Sequence, residues 1–179
     1  MADIYLLAGA PAVGKSSTAR ALAAQFPKSI HIPVDSLREM VISGVLHPGA
    51  VWSAELVEQL SLGRGTAVEM ARRYRAAGFV VVIDDFWDPN SQLHEYDPIF
   101  EEPGAHKMLL FPSQQAALQR NLQRAGAGES SRYIAEGIRS VYARLEEETP
   151  NLEAQGWIIV DTTGKDIDGT VRHILEMTR

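Results

Sequence analysis

Gly9-Ala10-Pro11-Ala12-Val13-Gly14-Lys15-Ser16 reads G-x-x-x-x-G-K-S, the pattern of a Walker A phosphate loop. The pattern carries weight only in its setting, and the setting is present on both sides. Before it, Ile4-Tyr5-Leu6-Leu7-Ala8 is a short apolar run suited to a buried strand. After it, Ala19, Leu22, Ala23 and Phe26 fall on one face of a helix read from Thr18 to Phe26. Gly9 and Gly14 let the backbone curl so that successive N–H groups point at one centre, a nest for phosphate oxygens. The helix that opens near Lys15 adds unpaired N–H groups and the positive end of its dipole. Lys15 is then placed to reach the β- and γ-phosphates, and Ser16 to offer a hydroxyl to Mg²⁺. Ala10, Pro11, Ala12, Val13 and Ser17 complete the expected nucleotide cradle.

The chain has 179 residues, enough for one well-filled core and short for two. One domain spanning residues 1–179 is therefore expected, with no internal repeat, low-complexity tract or dividing linker. There is no cysteine, which excludes disulfides, thiolate zinc sites and cysteine nucleophiles. The first strand begins close to Met1, leaving no room for a signal peptide, and no apolar run approaches the roughly 20 residues of a membrane span. A cytoplasmic location without membrane association is the expectation. The formal net charge is −6, against the basic face that a general nucleic-acid binder uses to neutralise phosphates.

The carboxyl ends of strands are where ligands bind in open α/β sheets, and three further stretches place chemistry there. Ile30 to Val34 reads as a second strand, with Pro33 pointing to an edge position or an early end. It runs into Asp35-Ser36 ahead of Leu37-Arg38-Glu39-Met40-Val41. Asp35 is placed to meet a substrate hydroxyl; alternatively Asp35 or Ser36 caps the helix that follows. Phe79-Val80-Val81-Val82-Ile83 describes a strand buried on both faces, and it ends in Asp84-Asp85. That is a Walker B pattern, with Asp84 the expected Mg²⁺ carboxylate. Asp85 is ambiguous, since a carboxylate after the Walker B aspartate polarises water in many ATPases. Further along, Lys107 to Pro112 and Gly156 to Asp161 read as the fourth and fifth strands.

The helices punctuate these strands. Ala54 to Ala77 keeps a stripe of Val57, Leu60, Ala67, Met70, Ala71 and Tyr74, interrupted by Gly63 and Gly65 with Arg64 between them. A kink, a break or a close approach to another element is expected there. Arg72, Arg73 and Arg75 read as a solvated face near the helix end. Residues Ser43 to Ser53, with His47 and Trp52, form a loop that could cover an acceptor pocket. A turn or two of helix is expected around Gln92 to Phe100. Ser113 caps a helix from Gln114 to Arg124, and another starts at Ser130 or Ser131 and ends at Thr149-Pro150. From Ser113 to Arg144 there are five arginines against two glutamates. Arg120, Arg124 and Arg132, around Gly126-Ala127-Gly128, have the character of an arginine-bearing lid over about residues 120–135. Asp166 caps the final helix.

Strands alternating with helices predict an α/β fold with a parallel sheet wound on both faces; strand order is not written in the sequence. GAPAVGKSS, VDSL (Val34 to Leu37), VVVIDDF, the arginine segment and VDTTG (Val160 to Gly164) follow one another as in chloramphenicol phosphotransferase-like P-loop kinases. The chain resembles that family, which is similar in turn to the adenylate and shikimate kinase group and to zeta toxins. The resemblance implies a three-layer P-loop NTPase fold with a five-stranded sheet of order 2-3-1-4-5. It implies ATP and Mg²⁺, with transfer of the γ-phosphate to a hydroxyl of a small acceptor. It implies Asp35 as acceptor-side base, Lys15 and Ser16 at phosphate and magnesium, Arg120 or Arg124 and Arg132 as lid arginines, and Thr162, Thr163 and Gly164 along the adenine pocket. The alternatives are an ATPase or nucleotide-dependent switch, with Asp85 directing water, and a nucleic-acid end kinase. No N-K-x-D guanine signature is present.

Overall fold

The computed structural model describes residues 2–49, 52–88, 90–91, 93–126 and 128–179. Strands and helices alternate along the chain. They are β1 (Ile4–Ala8), α1 (Lys15–Ala23), β2 (Ser29–Pro33), α2 (Val34–Glu39), α3 (Ala54–Ala76) and β3 (Val80–Asp84). A 3₁₀ turn (His94–Tyr96) leads into α4 (Asp97–Phe100), then β4 (Ala105–Leu110), α5 (Gln114–Ala125), α6 (Glu129–Ala154), β5 (Trp157–Val160) and α7 (Ile167–Met177). The expected helical turns before Phe100 are the 3₁₀ turn and α4; Gln92 lies outside the described residues. Among the described residues no helix is long and apolar enough to cross a membrane.

All strand pairs are parallel and the order is β2-β3-β1-β4-β5, the expected 2-3-1-4-5 arrangement. Burial follows from that order. β1, at the centre, is buried at every position, whereas edge strand β2 is buried only at Ile32. Pro33, which has no N–H to give a second neighbour, ends that edge strand. Side chains alternate between faces with period two. Ile4, Leu6, Ala8, Ile32, Val81 and Ile83 join Ala67, Val68 and Ala71 of α3 in one core. Tyr5, Leu7, Val82 and Met108 join Ala19 and Leu22 of α1 and Val171 and Ile174 of α7 in the other. The result is three layers.

Register brings the strand ends together. Leu7 pairs with Asp84, and Pro33 pairs with Asp84 from the other side. The start of the phosphate loop, the end of β3 and the segment bearing Asp35 therefore share one edge of the sheet.

In the folded chain one open reading is decided, the close approach at Gly63, and three others change. First, α3 is continuous through both glycines. Gly63 is there for a close approach: a Cβ on it would lie 2.9 Å from Arg38 Cγ on α2. Second, the buried stripe of α3 is Leu56, Leu60, Gly63, Arg64, Ala67, Val68, Ala71 and Arg75, while Val57 and Tyr74 are exposed. Arg75 is not part of a solvated face. Its Nε donates to Ala2 O at 2.7 Å, and its guanidinium also meets Glu102 and Pro103 O, tying the chain start to the approach to β4. Third, α2 begins at Val34 with Pro33 as N-cap, so Asp35 lies inside the first turn and neither Asp35 nor Ser36 is the cap. Fourth, α6 runs through Pro150 to Ala154. A proline in a helix interior costs about 3 kcal/mol. Burial of Leu152 in the core, at about 1.5–3 kcal/mol, offsets most of that, and the helix continues.

Candidate active site

The phosphate loop is held in a shape only small residues tolerate. Gly9 has φ +153° and a Cβ there would sit 2.6 Å from Leu110 O. Gly14 has φ +98°, and Ala12, between them, adopts φ 62°. A non-glycine residue in the left-handed region is a local strain of the kind concentrated at functional sites. Trp87 N donates to Gly9 O at 3.0 Å and Asp85 N to Leu7 O at 3.2 Å, so the segment after β3 braces the loop from beneath. α1 has Gly14 as N-cap and no side chain closes its first turn, leaving its N–H groups to an anion.

Lys15 Nζ donates to Ala10 O at 2.9 Å, folding back over the loop. Burial pushes its ammonium down from its ordinary value; Asp35, Asp84 and Asp85 pull it back up, and Arg124 pushes it down again. The three carboxylates and Arg124 are thus close enough for their charges to be felt at Lys15. Ser16 Oγ donates to Asp84 Oδ1 at 2.8 Å. The hydroxyl points its hydrogen at the carboxylate and keeps its oxygen lone pairs free, which would let Ser16 ligate a divalent cation beside Asp84. Among the described residues no group of three or more His, Cys, Asp or Glu forms an all-protein metal cage. Magnesium bound by a hydroxyl, a carboxylate and substrate phosphates needs none, so the residues present fit Mg²⁺. Asp35 is well exposed, 62% of its side chain accessible, and Arg38 Nη1 approaches it at 3.5 Å. Arg38 is buried and also donates to Leu46 O at 2.6 Å, fastening that part of the expected 43–53 loop to α2; residues 50 and 51 lie outside the described residues. His47 is exposed in that loop.

The arginine segment divides. Arg120 is committed to the body of the fold: it donates to Val13 O at 3.1 Å, Thr162 Oγ1 at 3.1 Å and Thr162 O at 2.7 Å. It clamps the phosphate loop to the turn after β5 rather than standing on a mobile lid. Thr162 is buried, its hydroxyl taken by Arg120, while exposed Thr163 accepts from Ser113 N at 2.7 Å. Gly164, with φ +68°, closes the turn. Arg124 and Arg132 are exposed at the facing ends of α5 and α6. The buried Asn121 Nδ2 donates to Ser131 O at 2.8 Å and fixes that helical hairpin from inside. Beside Arg132, the Tyr133 hydroxyl donates to Pro48 O, so the tip of α6 meets the segment around His47 and Pro48.

Asp85 does not address water. It is 1% exposed. Its Oδ2 accepts from Arg64 Nε at 2.8 Å and from the Tyr96 hydroxyl at 3.0 Å, and its Oδ1 from Phe86 N at 2.8 Å. Arg64, fully buried, also donates through Nη1 to Asp88 at 2.9 Å, Ser91 at 2.9 Å and Glu95 at 3.1 Å. Burial by itself would lower the Arg64 pKa; Asp85, Glu95 and Asp88 overturn that and hold it above its ordinary value. Burial pushes the Asp85 carboxyl up, and Arg64 and Tyr96 pull against that. This cluster anchors the segment that braces the phosphate loop. It escaped the sequence reading, although one signal was available: Arg64 occupies a stripe position one turn beyond Leu60.

A five-stranded parallel sheet of order 2-3-1-4-5, with a G-x-x-x-x-G-K-S loop after β1 and an aspartate ending β3, is the P-loop NTPase fold. A family model described as "AAA domain" matches residues 4–148, and the chain belongs to that family. Solved structures share the architecture. A sugar kinase from Janibacter sp. HTCC2649 is 15% identical, with 98% of this chain and 94% of that chain covered and a TM-score of 0.66. The Deinococcus radiodurans tunicamycin resistance protein is 17% identical, covering 99% and 95%, with a TM-score of 0.65. Shikimate kinase from Bacteroides thetaiotaomicron is 18% identical, covering 98% and 97%, with a TM-score of 0.55. Comparison with curated proteins gives no match.

Proposed function

We propose that this chain is an ATP-dependent phosphotransferase, a single kinase domain over residues 1–179, that moves the γ-phosphate of Mg·ATP to a hydroxyl of a small acceptor. The observation that carries the reading is the Ser16 Oγ–Asp84 Oδ1 hydrogen bond of 2.8 Å, with Asp35 in the first turn of α2, just past the end of the neighbouring strand β2. Phosphate side, cation side and acceptor side then lie along one edge of the sheet. Two structural neighbours are named as kinases of a sugar and of shikimate, which supports a small hydroxyl acceptor.

Phosphoryl transfer is chiefly positioning and charge stabilisation. In this reading the loop from Gly9 to Ser17 cradles the phosphates, and Thr162, Thr163 and Gly164 border the base pocket. Ser16 and Asp84 would hold Mg²⁺, which would supply positive charge against the β- and γ-phosphates. Lys15 lets go of Ala10 O and turns to the phosphates. Asp35 orients the acceptor hydroxyl and takes its proton at a carboxylate oxygen. Arg124 and Arg132, at the facing ends of α5 and α6, add positive charge at the transferring group, and Arg120 holds the loop in shape through Val13 and Thr162. The segment around Leu46 and Pro48, fastened by Arg38 and by Tyr133, borders the acceptor.

The test is ADP release from Mg·ATP, alone and with pooled sugars, other small hydroxyl compounds, nucleosides and oligonucleotide ends. Acceptor-stimulated release is expected. Asp35→Asn should bind ATP normally and lose about 10²–10⁴-fold in turnover, the usual contribution of a general base. Full activity in that variant would remove the base assignment, and wild-type kinetics in Lys15→Ala would sink the whole reading. Turnover that ignores every acceptor would favour an ATPase, and stimulation by oligonucleotide ends with a steep salt dependence would favour an end kinase.

A further inference from the structure

β2 sends Ile30 and Ile32 toward the α3 side of the sheet, where both pack in the core. By the period of two, His31 projects to the α1 side. Its register partner is Val82, and Asp84 lies two residues further along β3 on that same face. An apolar residue would suit this position, since Val82 and Tyr5 of the same face belong to the α1-side core. The chain instead places an imidazole there, only 13% accessible, and a donor so buried needs a partner. That partner is Asp84: His31 Nε2 lies 2.5 Å from Asp84 Oδ2. An ionised carboxylate only accepts, so Nε2 carries the hydrogen of this bond.

Asp84 is therefore held from two sides. Ser16 Oγ donates to Oδ1 from α1, and His31 donates to Oδ2 from β2. The terminal torsion of an aspartate is broad when nothing fixes it. With each oxygen bound to a donor on a different element, the carboxylate plane is set, and Oδ1 stays turned to the phosphate loop.

We propose that His31 is a positioning residue for the magnesium site, holding Asp84 in the orientation that completes it with Ser16. This rests on the reading of Ser16 and Asp84 as the groups that hold Mg²⁺. His31 does not touch the ion or the nucleotide; it acts through Asp84. Partners of this kind around metal ligands are worth about 10–100-fold in metal affinity.

The experiment is equilibrium binding of a fluorescent ADP analogue to the full chain, in EDTA and across a magnesium titration at one fixed pH. His31→Leu fills the same half-buried space without a donor. It should bind the analogue in EDTA within about twofold of wild type, while the half-saturating magnesium concentration rises about 10-fold or more. His31→Gln, which restores an N–H at similar reach, should recover most of that shift. A purely structural role would lower the melting temperature and weaken binding equally with and without magnesium, and that result would overturn the proposal. So would a wild-type magnesium titration in His31→Leu, or tighter magnesium binding, which would mean that the imidazole competes with the ion. Wild-type nucleotide binding that ignores magnesium would overturn the proposed function and this inference together. A magnesium-dependent wild type with an indifferent His31→Leu overturns this inference alone.

Discussion

Replacing Arg64 with methionine keeps an unbranched stem of similar reach and removes the cation that pairs with Asp85, Asp88 and Glu95. Arg64 is 0% exposed and Asp85 1%, so solvent cannot take over the lost charge. Breaking a buried ion pair by deleting one partner costs about 3–5 kcal/mol. That is a large share of the roughly 5–15 kcal/mol that holds a domain folded, and in a chain of this length it lowers the melting temperature by about 10 °C. The sign of the pH dependence follows from Asp85. Burial already pushes its carboxyl up, and Arg64 is the strongest influence pulling it back. Without Arg64 the folded-state pKa rises further above the unfolded value. Stability carried by such a group is fully present below the unfolded pKa and is lost as pH rises through the folded one. The difference between wild type and Arg64→Met should therefore be largest near pH 8 and shrink toward pH 5. Urea unfolding at several pH values measures it. Adding Asp85→Asn should recover part of the loss at neutral pH, because one uncompensated charge disappears. A loss under about 1 kcal/mol, unchanged from pH 5 to pH 8, would refute the argument and mean that water reaches the cluster.

Other substitutions test other parts of the site. Gly9→Ala puts a Cβ 2.6 Å from Leu110 O at φ +153°; thermal unfolding should show lost stability, and nucleotide binding should weaken because the loop must shift. Gly63→Val should cost about 1–3 kcal/mol in urea unfolding, since its Cβ meets Arg38 Cγ at 2.9 Å and forces α2 away from α3. Arg120→Ala should weaken nucleotide binding about 10-fold, the scale of one charge-assisted hydrogen bond, by releasing Val13 and Thr162 from each other; unchanged affinity by calorimetry would show that the clamp is idle. Asp85→Asn by itself should leave any acceptor-independent ATP hydrolysis rate within a few-fold of wild type, because Asp85 is buried against Arg64 and Tyr96; an abolished rate in a variant that keeps wild-type stability and nucleotide affinity would restore the water-directing role.

The phosphate loop, the parallel α/β architecture and the positions of Asp35 and Asp84 were legible in the residues because each depends on its immediate neighbours. A glycine at positive φ, an apolar run too long to be half-exposed and a carboxylate at a strand end are local facts. The groups that hold the site together depend on partners far along the chain, and no local pattern announces them. His31 meets Asp84 across a separation of 53 residues, Arg64 meets Asp85 across 21, and Arg120 reaches Val13 across 107. Periodicity gives Arg75 a solvated face, yet the fold brings Ala2 O, Glu102 and Pro103 O to it, and their hydrogen bonds make its burial favourable. Pro150 reads as a stop, yet α6 continues because Leu152 has a core to enter. Composition and spacing thus determined which chemistry the strand ends carry. Only the tertiary structure decided which charges are buried, which carboxylate is neutralised by a cation and which stands exposed, since burial and pairing are properties of the packed sheet and not of any one segment.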